Sequence, residues 1–320
     1  MADIIAIGEM LVDFTQEVTP DGAVRFYRNP GGAPAMLAVM AAKLGTPSAF
    51  IGKLGKDMFG KYLKGELEKH GVDTSGVILD KNHQTTLAFV NKDEDNERDF
   101  VFYRTDSADV NLTFDEIKKS QLDECRIVHF GALSLTREPM RSATVNALEY
   151  AKEHGKIISY DPNWREHLWD SKEEAFKIMR SVLPLCDIIK VSEKELKIVT
   201  DYDNMLTGAA VLLQKGIKAV IVTQGAKGCI IATKNGIVRS SSYKVESIDT
   251  LGTGDSFMGA FLSMIAKSGK KLEEIDVEEL EYMADYANAC GALCSTKYGA
   301  IPSMPTEEEI INCMKTVQKI

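Results

Sequence analysis

The 320-residue sequence has no uninterrupted apolar run long enough to span a membrane. Its opening, MADIIAIGEM, passes directly into a strand-like segment without a basic region or cleavage site, so a cytoplasmic protein is expected. No dense Lys/Arg block occurs and the formal net charge is −9. A nucleic-acid surface is therefore not expected, because affinity for a phosphate backbone needs a basic patch. A small anionic ligand needs only a local field and stays open. The six cysteines contain no CxxC pair and lie mostly among apolar neighbours, which predicts reduced, buried thiols and neither disulfides nor a zinc site. Linkers, repeats and low-complexity segments are also missing.

What is present is an ordinary globular composition, 44% apolar and 27% charged. Short apolar runs alternate with amphipathic segments. DIIAIGE, PSAFIG, RIVHFGAL, KIISYD, DIIKVS and AVIVTQG read as buried strands. APAMLAVMAAKLG, FGKYLKGELEKHG, EPMRSATVNALEYAKEHG and NMLTGAAVLLQKG read as helices, with Gly45, Gly71, Gly155 and Gly216 as their C-terminal stops. This alternation predicts an α/β fold: a mostly parallel central sheet covered by helices on both faces, in three layers.

Two stretches break the rhythm. LVDFTQEVTPDGAVRFYRN carries an Asp-Gly turn between alternating runs, and TTLAFVNKDEDNERDFVFY reads as two strands around a charged tip. These strands lack covering helices, so they predict a small accessory sheet. Residues 11–29 and 85–105 are assigned to it as a lid, and residues 1–10, 30–84 and 106–320 to the large domain. A flap over a site and a dimer surface are both compatible with such a sheet.

The chemistry concentrates in SIDTLGTGDSFMGAFLSMIAKSG. A strand is expected to end near Ile248, glycines turn the chain, and helix periodicity follows from Ser256 to Lys267. The amides of Gly252, Thr253 and Gly254 would then point unpaired from a helix N-terminus, a ready anion cradle. Asp255 sits inside that cradle. On its own it reads equally as a first-turn acid complementing the helix dipole. The functional reading is a base: phosphoryl transfer to a hydroxyl requires a proton acceptor, while the amides stabilise the phosphoryl charge.

Two nucleotide motifs are excluded. GKDMFGKY (residues 55–62) nearly matches GxxxxGK[ST], but Tyr62 cannot replace the small hydroxyl needed at its last position. GTGDSF lacks the third glycine of a dinucleotide fingerprint.

The motifs resemble the ribokinase-like (PfkB) family of carbohydrate kinases, and within it the fructokinases. DTLGTGDSF is similar to the family's C-terminal signature DTxGAGDxF, and NPGGAPAMLAVMAAKLG to its N-terminal signature. FIGKLGKDMFG, FVFYRTDSAD, ISYDPNWREHLW, VTQGAKGC and YANACGALCSTKYGAIPSMP follow in the family's order, so the similarity spans the chain. It implies an ATP-dependent sugar kinase with Mg²⁺ and a small sugar, fructose first, as acceptor; pairing of lid edges between subunits would make a homodimer.

The resemblance also implies roles. Asp255 would be the base, with Gly252, Thr253 and Gly254 as anion hole. Asp13, Gly31, Gly32, Arg104, Asn163 and Arg165 would face the sugar or its incoming phosphate. Lys190, Ser192, Thr223, Gly225, Gly228, Gly254 and Asn288 would hold the nucleotide. Glu195 would stand near Mg²⁺ through water, and Asp249 could hold a monovalent cation such as K⁺. Structural readings stay open beside these: a solvated strand end for Arg104, a surface ion pair with Glu166 or Asp170 for Arg165, and a ligand-free helix position for Asn288.

Two positions depart from the family pattern. In SEKE, Ser192 replaces the Asn of NxxE while Glu195 is kept. Met36 stands where the N-terminal signature has an Asn that bonds a substrate hydroxyl. Met offers no donor, so either sugar recognition changes at one hydroxyl or Met36 packs inward and other groups do the work.

Overall fold

The computed structural model describes residues 2–92 and 98–320. Thirteen strands occur among them: β1 (Ile4–Ile7), β2 (Leu11–Val18), β3 (Val24–Gly31), β4 (Ser48–Gly55), β5 (Asp73–Asp80), β6 (Leu87–Lys92), β7 (Arg98–Tyr103), β8 (Ile127–Gly131), β9 (Ile157–Asp161), β10 (Ile188–Ser192), β11 (Ala219–Thr223), β12 (Cys229–Thr233) and β13 (Gly236–Ser240). Nine form one sheet in the order β13-β12-β11-β10-β9-β8-β1-β4-β5. Pairing is parallel from β5 across to β11, and the edge strand pairs β11–β12 and β12–β13 are antiparallel. The other four form a separate sheet in the order β3-β2-β6-β7.

Period-two alternation divides the strand residues between two cores. Ile4 and Ala6 pack with the helices Ala33–Lys43, Thr253–Ser268 and Val277–Cys294. Ile5 and Ile7 pack on the opposite face with the helices Met140–Glu153, Lys172–Ser181 and Glu193–Thr200. Burial on both faces explains why these strands read as continuous apolar runs. Gly45, Gly71, Gly155 and Gly216 all take left-handed φ just past helix ends, as expected of C-terminal stops. The six cysteines are buried and unpaired. Among the described residues no helix is long and apolar enough to cross a membrane.

The strand expected to end at Ile248 is not formed. After β13 the chain runs without regular structure until the helix starts at Thr253, held by Ile248 N–H and Asp249 N–H donating to Ser295 O. The charged tip expected between β6 and β7 falls on residues 93–97, outside the described residues.

The small sheet has two unlike faces. Asp13, Asn29, Ala88 and Phe102 lie in cross-strand register on one side. Phe14, Phe26, Phe89 and Tyr103 cluster on the other, with ring centroids 5.1–5.6 Å apart. Where β7 returns to the large domain, Arg104 is buried. Its Nε donates to Asp109 Oδ2 at 2.7 Å, Nη1 to Thr136 Oγ1 at 2.7 Å and Nη2 to Leu133 O at 2.9 Å. Asp109 in turn accepts from Thr86 and Ser107, so both chain crossings of the β6–β7 pair meet at one buried ion pair. Removing one partner of such a pair strands the other charge. Arg104→Met should therefore lower unfolding free energy by about 3 kcal/mol in urea titrations; an unchanged midpoint and slope would show that the pair contributes little.

Candidate active site

Strand order reverses between β1 and β8: from β1 the sheet grows one way through β4 and β5, and from β8 the other way. Open α/β sheets bind ligands outside the carboxyl ends of strands at such a point. A cavity of about 990 Å³ lies there, lined by Glu9 after β1, Leu133 after β8, Asn163 and Arg165 after β9, and Lys190 on β10. Asp13 and Phe102 of the small sheet line it as well, and Phe102 approaches His167 with ring centroids 5.3 Å apart.

Two helices open on this cavity, Ala33–Lys43 and Thr253–Ser268. Each starts at a glycine, Gly32 and Gly252, and neither has a capping side chain of its own N-cap residue. Six other helices are capped by Asp57, Ser171, Ser192, Asn204, Asp276 and Thr306, while Lys119–Glu124, Met140–Glu153 and Ala300–Ser303 are also without such a cap. Uncapped first-turn amides are anion donors in waiting. Gly252 adopts φ 76°, a left-handed conformation, and a Cβ there would stand 2.8 Å from that of Ala300. Gly31 is needed for another reason: a side chain would collide with the carboxylate of Asp13, 2.1 Å away. Gly31 itself lies beneath Asp13 and is not part of the lining.

A second cavity, about 230 Å³, is lined by Thr223, Gly225, Gly228 and Asn288. Thr250, Thr253 and Gly254 border both cavities, whereas Asp255 borders only the larger. The glycine cradle thus stands at the junction, with the carboxylate on one side of it. The smaller lining carries no charged side chain; the larger carries Glu9, Asp13, Glu166 and Asp255 together with Arg165, Lys190 and Lys194.

Electrostatics follow from this crowding. Burial pushes Asp255 up to about 7, and Asp161 and Asp13 add to the shift while Lys190 and Arg165 oppose it. Lys190 donates to Asp161 Oδ2 at 2.7 Å, and its Nζ lies 3.0 Å from where a Cβ on Gly254 would stand. Burial works against the Lys190 ammonium, but Asp161 and Glu195 outweigh it and hold its pKa above the usual value. Glu9 is pushed by burial to about 7; Arg104, set behind it, opposes the shift, and Oε1 of Glu9 accepts from Ala33 N–H at 3.2 Å. Glu9 follows β1 as Asp161 ends β9: each is an acid at the carboxyl end of an apolar strand, IIAIGE and IISYD, a signal followed in the sequence for Asp161 of DPNWR but not for Glu9.

Several expected residues sit elsewhere. Arg104 lies behind the cavity wall in the network described above, held by Asp109 and by the more distant Leu133 and Thr136. Lys190 borders the larger, charged cavity, not the smaller one. Glu195 is buried with both oxygens engaged: Oε1 accepts from Trp164 N–H at 2.7 Å, Oε2 from Ser192 N–H and Oγ at 2.8 Å each. SEKE is thus a capping box, which explains how Ser stands in for Asn, since both cap helices well. Asn288 Nδ2 donates to Ser240 O and Oγ at 3.0 and 2.9 Å. Asp249 Oδ1 and Oδ2 accept from Leu251 N–H and Gly299 N–H, joining the two loops at the cradle. Met36 borders the larger cavity, its sulfur 3.5 Å from a Cβ built on Gly252.

A buried carboxyl beside uncapped helix-start amides, between a charged cavity and an uncharged one, is an arrangement that suits phosphoryl transfer to an alcohol. Comparison with known proteins gives the same class. The model of the pfkB family carbohydrate kinases matches residues 1–307, and the chain belongs to that family. Fructokinase-1 of Oryza sativa subsp. japonica is 43% identical over 98% of both chains. Among solved structures, a fructokinase from Xylella fastidiosa with bound ATP has a TM-score of 0.90 at 29% identity, covering 98% of this chain and 99% of the other. A fructokinase from Vibrio cholerae O395 with fructose, ADP and calcium has 0.89 at 32%, with the same coverage.

The raised pKa of Asp255 also has a thermodynamic consequence. The folded protein holds this proton more tightly than the unfolded chain, so stability present below the unfolded value of 3.8 is lost as pH rises through about 7. Asp255→Asn escapes that loss. Its melting temperature should exceed that of the parent at about pH 8, and the difference should close toward about pH 4; a variant that melts lower at pH 8 would contradict the assignment.

Proposed function

We propose that the chain is a fructokinase, transferring the γ-phosphoryl group of ATP to a primary hydroxyl of fructose. Fructose is supported by the likeness to fructokinases along nearly the whole chain. The reaction geometry is supported by one observation above all: Thr250, Thr253 and Gly254 border both cavities while Asp255 borders one. The sugar occupies the larger cavity with its hydroxyl against Asp255, and the nucleoside occupies the smaller.

As the acceptor oxygen bonds to phosphorus and the bond to the β-phosphate oxygen breaks, the hydroxyl proton passes to Asp255, leaving ADP and a sugar phosphate. Amides of Gly252, Thr253 and Gly254 stabilise the charge on the transferred group, with Lys190 and Arg165 beside them. Asp13 and Asn163 hold sugar hydroxyls. The small sheet serves as a lid that keeps water, a competing acceptor, out of the cavity.

No group of three or more acidic, His or Cys side chains among the described residues is arranged as a metal cage. The residues therefore suit a Mg²⁺ that arrives on the nucleotide phosphates with its waters, with Asp161 and Glu195 as the nearby carboxylates. Its chemistry there is neutralisation of phosphate charge. Asp249, which joins the two loops beside the cradle, is the candidate holder of a monovalent cation such as K⁺.

The test is a panel of acceptors with coupled ADP detection, run in potassium and in choline salts. Fructose should be turned over with the highest kcat/KM; ribose, 2-keto-3-deoxygluconate or a nucleoside in first place would replace it. Turnover of none of them, with ATP bound, would indicate a binding module. Asp255→Asn should lower kcat by about 10²- to 10⁴-fold with ATP affinity nearly intact. Met36→Asn should change the ranking of hexoses; an unchanged kcat/KM for each would mean that Met36 only packs.

The reading includes a homodimer joined through the outer face of the small sheet. Val18, Val24, Phe26, Val101 and Tyr103 are exposed there around Phe89, more contiguous apolar surface than scattered monomer residues give. Light scattering should report twice the 35.3 kDa chain mass; the single-chain mass would reject it.

A further inference from the structure

Beyond the helix Glu307–Thr316, residues 317–320 leave the helical layer and run alongside residues 242–244. Tyr243 and Lys319 form an antiparallel bridge, Lys244 N–H donates to Gln318 O at 2.8 Å, and Ile320 N–H to Ser242 O at 2.9 Å. Lys319 Nζ lies 2.7 Å from Asp285 Oδ1 and 5.8 Å from the centre of the Tyr243 ring. This pairing carries Ile320 to the edge of the smaller cavity, where it is part of the lining while remaining 60% exposed. An exposed branched apolar side chain at a cavity rim is a surface that a ligand would finish covering.

The opposite walls fit one kind of ligand. Val245, Phe257 and Ala292 are apolar, and the polar atoms come from hydroxyls such as those of Ser242 and Ser247. No charged side chain lines this space, and the amide nitrogen of Asn288 is spent on Ser240. A neutral planar heterocycle between apolar walls suits these groups, and a charged group does not.

We propose that residues 317–320 form a latch over the nucleobase, with Ile320 as the apolar face that packs on the ring and the Lys319–Asp285 pair as its fastening. The latch rests on the reading that the smaller cavity takes the nucleoside end of ATP. It makes Ile320 a determinant of nucleotide affinity with no part in the sugar site, and it predicts that the base and the phosphates are held by separate elements.

The test is calorimetric binding of ATP and of inorganic tripolyphosphate, together with initial rates, on the full chain, on Ile320→Asp, on Lys319→Ala and on a chain ending at Thr316. Ile320→Asp should weaken ATP binding and raise KM for ATP by about fivefold, the worth of one or two covered methylenes. Tripolyphosphate affinity, KM for the sugar and kcat at saturating ATP should stay unchanged. Lys319→Ala should shift ATP affinity in the same direction by less, and the shortened chain by at least as much as Ile320→Asp. Unchanged ATP affinity in Ile320→Asp overturns the latch, as does an equal loss for ATP and tripolyphosphate, which marks a distorted cradle. Failure of the unaltered chain to bind ATP would remove the nucleotide reading itself, a result distinct from either.

Discussion

Asp255 is held in a conflict that the surrounding structure resolves only partly. Its own helix start offers amides that favour an anion, and Lys190 and Arg165 add positive charge. Burial, together with Asp161 and Asp13, outweighs them and leaves the carboxyl with an affinity for protons near neutrality. A carboxylate satisfied by its neighbours would be a poor base. One destabilised to this degree accepts a proton readily at physiological pH, and the cost falls on folding. The ion pair of Lys190 with Asp161, at 2.7 Å, places the opposing ammonium within the same cluster, yet burial still raises the pKa of the Asp161 carboxyl as well.

Sheet topology brings the conflicting charges together. Glu9, Asp161 and Lys190 come from β1, β9 and β10, whose carboxyl ends converge where the strand order reverses. Asp13 comes from the small sheet, whose inner face is fixed in register by the β2–β3 and β2–β6 pairs. The buried Arg104–Asp109 pair ties that sheet to Leu133 and Thr136 beside the cavity wall. The same guanidinium is the charge that most opposes the upward shift of Glu9. Position of the small sheet and electrostatics of the cavity are therefore linked through one side chain.

Much of this was legible in the residue pattern. Continuous apolar strands with glycine-stopped helices announced a covered parallel sheet, because burial on both faces leaves no polar alternation to read. The glycine-rich helix start and the paired hairpins were equally plain, since turn chemistry is local. What escaped depends on distant partners. The β12–β13 hairpin gave no separate signal, and a strand ending near Ile248 was expected because the local sequence does not reveal that Ile248 and Asp249 donate to Ser295 O, far along the chain. Arg104 reads as a solvated strand end until Asp109, Thr136 and Leu133 are seen around it. Glu195 reads as an acid near a metal, and the sequence does not show that one of its oxygens also accepts from Trp164 N–H. Roles that depend on spacing along one element were visible; roles set by partners from other elements were not.

The account turns on the proton affinity of a single carboxyl. Carbon-13 NMR of aspartate side-chain carboxyls across a pH series, with the Asp255 signal assigned by its loss in Asp255→Asn, measures it directly. The structure predicts a midpoint near 7 for that signal in the ligand-free protein. A midpoint near the ordinary aspartate value of 3.8 would contradict it, and with it the claim that burial and like charges tune this group as a base.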